Sequence, residues 1–181
     1  RRQPVDKDSV GYAGLRDLVK VLCGSEGTLG FITKVEVQLI ARPEAFTSGL
    51  AFFADRAAAV GFVGAARQQD RSGSGVRPRC LELLDSPCLE IMRAQGSGVV
   101  LPPGAGAAIF FEEEHSEGGE IEVLERWWSL LEQSPGALPQ DTVVATDRAR
   151  QQELRMLRHA IPATLNEEGR AQASAGGRKV S

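Results

Sequence analysis

Four times between Thr47 and Glu168 a short apolar stretch gives way to a helical pattern. That alternation restricts the chain to architectures in which helices cover a sheet. The strand-like stretches are Thr47–Phe53, Arg79–Leu84, Ala107–Glu112 and Thr142–Thr146. Asp55 is placed as the N-cap of an Ala-rich helix running to Gln69, and Ser86-Pro87 reads as a cap followed by proline at the first helical position. A helix is expected from Glu120, with Ile121, Leu124, Trp128 and Leu131 on its buried face. Asp147 caps the last helical pattern, whose apolar positions are Leu154, Leu157, Ile161 and Leu165. Pro162 lies inside it and is expected to kink or restart the helix near Arg158–Ile161. Strand–helix alternation ordinarily builds a parallel sheet, but connections as long as residues 96–106 also permit an antiparallel one. The pattern leaves both open.

Composition removes several classes of function. The 181 residues carry a formal net charge of -3 with charges of both signs, which argues against the basic surface that nucleic acid demands. No apolar run reaches the length of a membrane span. Peripheral membrane attachment is compatible with this composition and is not specified by it. Cys23, Cys80 and Cys88 have neither metal-ligand nor disulfide-framework spacing, and read as reduced thiols of a cytoplasmic protein. With only His115 and His159 available, and no second ligand at suitable spacing, no metal site is expected. The run Glu112-Glu113-Glu114 reads as a solvated strand end or turn, with His115 following it into solvent. Trp127 and Trp128 read as core or interface residues.

One segment names a chemistry. Residues 24–30 are Gly-Ser-Glu-Gly-Thr-Leu-Gly, with three glycines three apart, where backbone must turn tightly or approach something closely. The next residues alternate, Phe31, Thr33, Val35, Val37 and Leu39 against Lys34, Glu36 and Gln38, the pattern of a half-buried strand. A glycine turn feeding a strand is neither a P-loop nor a dinucleotide-binding Rossmann fingerprint, since both open a helix.

Taken with Lys7-Asp8-Ser9-Val10-Gly11-Tyr12 and Leu15-Arg16-Asp17-Leu18, this string closely resembles flavin-linked oxidases of the vanillyl-alcohol oxidase type. Within them it is most similar to the branch of D-lactate dehydrogenase and the FAD-binding subunit of glycolate oxidase. The resemblance implies that residues 1–44 are the C-terminal remnant of an FAD-binding domain. Residues 45–181 are then a substrate-side cap, an antiparallel ferredoxin-like sheet with helices on one side, giving an α+β chain. It further implies that Gly24, Ser25, Glu26, Gly27, Thr28, Gly30 and Ile32 line FAD. A carboxylate at Glu26 would repel a pyrophosphate, so backbone amides or ribose contacts are the expected mode.

The same resemblance makes Arg158 and Lys179 the substrate-carboxylate contacts. Arg158 lies in Leu157-Arg158-His159-Ala160-Ile161 and Lys179 in Gly177-Arg178-Lys179-Val180-Ser181. In some relatives the position four after the arginine is a hydroxyl residue; here it is Pro162. The implied activity is oxidation of a 2-hydroxy acid, of D-lactate or glycolate type, by hydride transfer to flavin. Both ends of the sequence read as cuts, so the chain is expected to be a piece of a longer enzyme. Alone it should neither hold FAD tightly nor turn over. A Phe31–Leu39 strand short of neighbours would leave an edge open to self-association, though the sequence does not give the oligomeric state. Two other readings stay open: a non-catalytic ferredoxin-like binding or interaction module, and an alkyl-transfer relative on the same FAD scaffold.

Overall fold

A computed structural model describes residues 18–94 and 98–174. The chain divides into two compact units, Arg1–Ala41 and Arg42–Ser181.

In the first unit, α1 (Leu18–Leu22) leads into the glycine turn. Residues 31–41 form no strand, contrary to the alternating pattern. Phe31 is 99 % exposed, and Ile32, Val35, Val37, Leu39 and Ile40 are exposed as well. Alternation can prepare a face for burial, but a strand exists only when a neighbour satisfies its backbone. Among the described residues nothing pairs with this segment.

The second unit contains a four-stranded antiparallel sheet in the order β2-β3-β1-β4. Its strands are β1 (Ala45–Phe53), β2 (Pro78–Leu84), β3 (Ala107–His115) and β4 (Ala137–Ala145). The helices are α2 (Arg56–Ser72), α3 (Ser86–Ala94), α4 (Glu120–Glu132) and α5 (Arg148–Ser174). β1 and β2 are parallel to each other with β3 between them, and β4 stands on the far side of β1. This is the ferredoxin-like arrangement, with α2 and α4 as crossover helices. Every neighbouring pair is antiparallel, which settles the ambiguity left by the strand–helix alternation.

The crossover helices share one face. There Phe62 of α2 and Val123, Trp127 and Leu131 of α4 pack on Ala51, Phe53, Ile109 and Phe111. The opposite face carries α3 and α5, whose Leu89, Met92, Leu154 and Ile161 pack on Leu50, Phe52, Ala108 and Phe110. Successive strand residues point to opposite faces. With both faces covered, Leu50–Phe53 and Ala107–Phe111 are buried without a break. Two-sided burial explains why these strands read as continuous apolar runs rather than alternating ones.

Local chemistry sets the helix ends. Asp55 caps α2 by accepting from the Ala58 amide at 2.8 Å, and Gly73 ends it in the left-handed region. Asp147 caps α5 by accepting from the Arg150 amide at 2.9 Å. The buried face of α4 is Val123, Trp127, Leu130 and Leu131, whereas Ile121 is 65 % exposed. The expected face was therefore turned by about one position: the adjacent apolar pairs Val123-Leu124, Trp127-Trp128 and Leu130-Leu131 allow either stripe. α5 runs through Pro162 as one helix. Proline has no N–H, so the Arg158 carbonyl lacks its i+4 donor. The apolar contacts of Leu154 and Ile161 nevertheless hold the helix on the sheet.

Gly49 is the close approach on which the α2–α4 face depends. It lies opposite Phe111 in the β1–β3 register, and the Phe111 ring covers it so closely that an added Cβ would meet the ring at 2.2 Å. Trp127 then stacks on Phe111 with centroids 4.2 Å apart. Gly49→Ala must push Phe111 into Trp127 and should destabilise the chain by about 1–3 kcal/mol. Chemical unfolding measures this; a variant as stable as the parent would show that the ring relocates freely.

Candidate functional site

Two places answer to the residues singled out above, one in each unit. In the glycine turn, Gly24 (φ 80°), Glu26 (φ 47°), Gly27 (φ 80°) and Gly30 (φ 150°) all occupy the positive-φ region. Glycine enters it without strain, while Glu26 does so at some cost. The turn closes on itself: the Thr28 amide donates to the Ser25 carbonyl at 2.9 Å, and the Thr28 hydroxyl donates to the same oxygen at 2.7 Å. Ser25 is buried, whereas Gly24, Glu26, Gly27, Thr28, Gly30 and Ile32 are exposed.

This geometry suits a cofactor met through backbone. A Cβ at Gly27 or Gly30 would meet no atom within 4 Å, so the main chain there can be approached. The Thr28 hydroxyl is already committed to the turn. A ligand at this turn would meet backbone groups rather than the Thr28 hydroxyl.

The second place is a charged cluster on the α5 face of the sheet. Phe46 and Ser48 enter from β1, Arg79, Cys80 and Glu82 from β2, Glu112 and Glu114 from β3, and Arg155 and Arg158 from α5. Glu112 is 4 % exposed in the middle of it. It accepts from the Ser48 hydroxyl at 3.2 Å, and pairs with Arg79 at 3.4 Å and Arg155 at 3.3 Å. Arg79 also reaches Glu114 at 3.1 Å. The guanidinium groups of Arg79 and Arg155 both lie over the Phe46 ring, 5.3 and 4.8 Å from its centroid. A register slip between Pro78 and Cys80 lets these near neighbours on β2 serve one cluster.

Arg158 is part of this arrangement. Its Nε donates to Glu82, and its guanidinium lies 5.8 Å from the Phe110 centroid. The Glu82 hydrogen bond strengthens its hold on its proton, with desolvation opposing and the Glu82 charge assisting. Any other carboxylate meets Arg158 in competition with Glu82. His159, the next residue, is exposed. Lys179 lies outside the described residues, as do Lys7–Tyr12 and Leu15–Asp17.

The glutamate run is a correction to the sequence reading. Rather than ending the strand in solvent, β3 continues to His115, and Glu112 and Glu113 are buried on opposite faces. Glu113, 1 % exposed, accepts from Arg126 at 2.6 Å and from the Arg77 amide at 2.8 Å. His115 Nε2 is 3.0 Å from the Thr47 hydroxyl. Consecutive glutamates look solvent-seeking, and only the positions of Arg79, Arg126 and Arg155 in space reveal their partners. Gln151 was also missed; its amide donates to the Phe46 carbonyl at 2.6 Å and fastens α5 to β1.

Among the described residues no group of three or more His, Cys, Asp or Glu side chains could hold a metal ion. No helix among them is long and apolar enough to cross a membrane.

Comparison with protein-family profiles gives no match. Among curated proteins the chain is similar to the glycolate oxidase subunit GlcD of Bacillus subtilis (strain 168), 29 % identical over 171 residues. The similarity covers 90 % of this chain, and the chain spans about a third (33 %) of that relative. It supports the resemblance to FAD-linked oxidases without choosing a branch among them.

Two measurements probe the second place. Removing the Glu113 carboxylate leaves Arg126 facing a buried gap. Because Arg126 is about a third exposed (35 %), water recovers part of the loss, and Glu113→Ala should destabilise by about 2 kcal/mol in chemical unfolding. A neutral result would mean that the pair contributes nothing. Burial, followed by the Glu82 charge, pushes the Cys80 thiol up, and burial does the same for Cys88. At about pH 8, iodoacetamide should therefore label exposed Cys23 well before either, as followed by mass spectrometry. Equal rates at the three sites would contradict this burial.

Proposed function

We propose that this chain is a portion of an FAD-linked oxidoreductase that oxidises a 2-hydroxy acid of the glycolate or D-lactate type. Residues 1–44 contribute the last part of its FAD-binding domain and residues 45–181 its substrate-side cap. The observation that carries this reading is the 171-residue similarity to a glycolate oxidase subunit, which at 90 % of the chain must include part of both units. The exposed, positive-φ backbone of Gly24–Gly30 supports it independently.

When bound, FAD supplies an acceptor for the hydride of the hydroxyl-bearing carbon. Gly24, Ser25, Glu26, Gly27, Thr28, Gly30 and Ile32 form one wall of its site, chiefly through main chain. Arg158 receives the substrate carboxylate, since a guanidinium offers the paired donors that a carboxylate fits. Glu82 holds the Arg158 side chain in position until the substrate competes for it. Lys179 is a second contact to the same carboxylate. Separated from the remainder of its enzyme, the chain does not retain FAD or turn over.

A second reading, a non-catalytic ferredoxin-like module, draws on the way residues 45–174 cover both faces of their own sheet. One experiment separates the two. Full-length protein should show a flavin spectrum that bleaches anaerobically on addition of glycolate or D-lactate, with Arg158→Ala raising KM at least about tenfold while the spectrum persists. A colourless full-length protein that takes up no FAD would overturn the oxidoreductase reading. A flavoprotein with unchanged kinetics in Arg158→Ala would remove only Arg158.

A further inference from the structure

Outside both places described above, α4 and the outer strand β4 enclose a groove of about 390 Å³. Its walls are Leu124, Trp127, Trp128 and Leu131 of α4 with Phe111 and Val144 of the sheet. The volume is that of a small-molecule site, and the lining is mainly apolar with a few polar groups, the usual composition of one. Trp127 is 1 % exposed and held against Phe111, whereas Trp128 is 38 % exposed and offers part of its indole to an occupant.

Charge decides what that occupant is. Glu125 and Glu132 also line the groove, both exposed, and no ion pair engages either among the described residues. With Trp128 they follow the spacing i, i+3, i+7, so a carboxylate lies one turn to each side of the indole on the same helix face. No arginine, lysine or histidine lines the groove. An aromatic face between two unpaired carboxylates is electronegative and poorly suited to an anion, but well suited to a soft cation with an apolar shell.

We propose that the groove between α4 and β4 binds a small, soluble alkylated ammonium ion of the choline type. The assignment is independent of the oxidoreductase reading, since it uses none of the residues assigned to flavin or to the hydroxy acid. The full chain titrated with choline should show a saturable change in tryptophan emission, with Kd roughly in the millimolar range. Dimethylbutanol, its uncharged carbon isostere, should bind at least about fivefold more weakly. The double variant Glu125→Gln/Glu132→Gln alters only exposed side chains. It should retain its circular dichroism spectrum and lose at least about fivefold in choline affinity, and Trp128→Leu should do the same when binding is read by calorimetry. No saturation with choline, equal affinity for the isostere, or an unaffected double variant would each overturn the proposal. So would binding to phosphatidylcholine vesicles without binding to free choline, or sedimentation showing a dimer that the Trp128 variant dissolves.

Discussion

β1 and β3 are buried on both faces, and the rest of the second unit follows from that constraint. An inner strand with helices above and below has no side left for polar residues. The constraint selects Leu50–Phe53 and Ala107–Phe111, and makes the fit of Gly49, Phe111 and Trp127 a matter of close contact rather than general apolarity. It also explains the polar ends of the same strands. Where β3 passes beyond its apolar stretch, Glu112 and Glu113 point to opposite faces, and each must find its own cation. Glu112 finds two in Arg79 and Arg155; Glu113 finds Arg126 and a main-chain amide. Ion pairs of this kind seldom add much net stability, but they tie β3 to β2, α4 and α5 in one register.

The charged cluster on the α5 face therefore has two aspects that should be kept apart. Glu112, with its three polar partners, is a structural centre whose members are mutually satisfied. Arg158 sits at its margin, held by the single carboxylate of Glu82 and partly open to water. A guanidinium with one partner and partial exposure can exchange that partner more readily than the centre can. The cluster can thus orient Arg158 without depending on it.

Much of this architecture was legible in the sequence, for identifiable reasons. Strands and helices of the second unit announce themselves by period, and Asp55 and Asp147 mark helix starts through cap chemistry that is local in sequence. What failed was non-local. Pro162 stays within α5 because tertiary contacts outweigh one missing hydrogen bond. Alternation in Phe31–Leu39 describes a face but supplies no neighbour. The face of α4 could be turned because its apolar residues come in adjacent pairs, Val123-Leu124, Trp127-Trp128 and Leu130-Leu131. Glu112 and Glu113 look solvent-seeking until the arginines folded against them are located. For the candidate site, the glycine turn was readable because positive φ is a property of single residues. The partner of Arg158 was not, since Glu82 lies 76 residues away.

The edges of the sheet bear on how the chain behaves at high concentration. Both outer strands contain a proline, Pro78 at the start of β2 and Pro139 within β4. Neither can donate a main-chain hydrogen bond, so each interrupts the ladder that an incoming strand would need. The Phe31–Ile40 segment has no proline and is exposed on both sides. Fibrous aggregates, where they form, should therefore grow from that segment and leave the sheet intact.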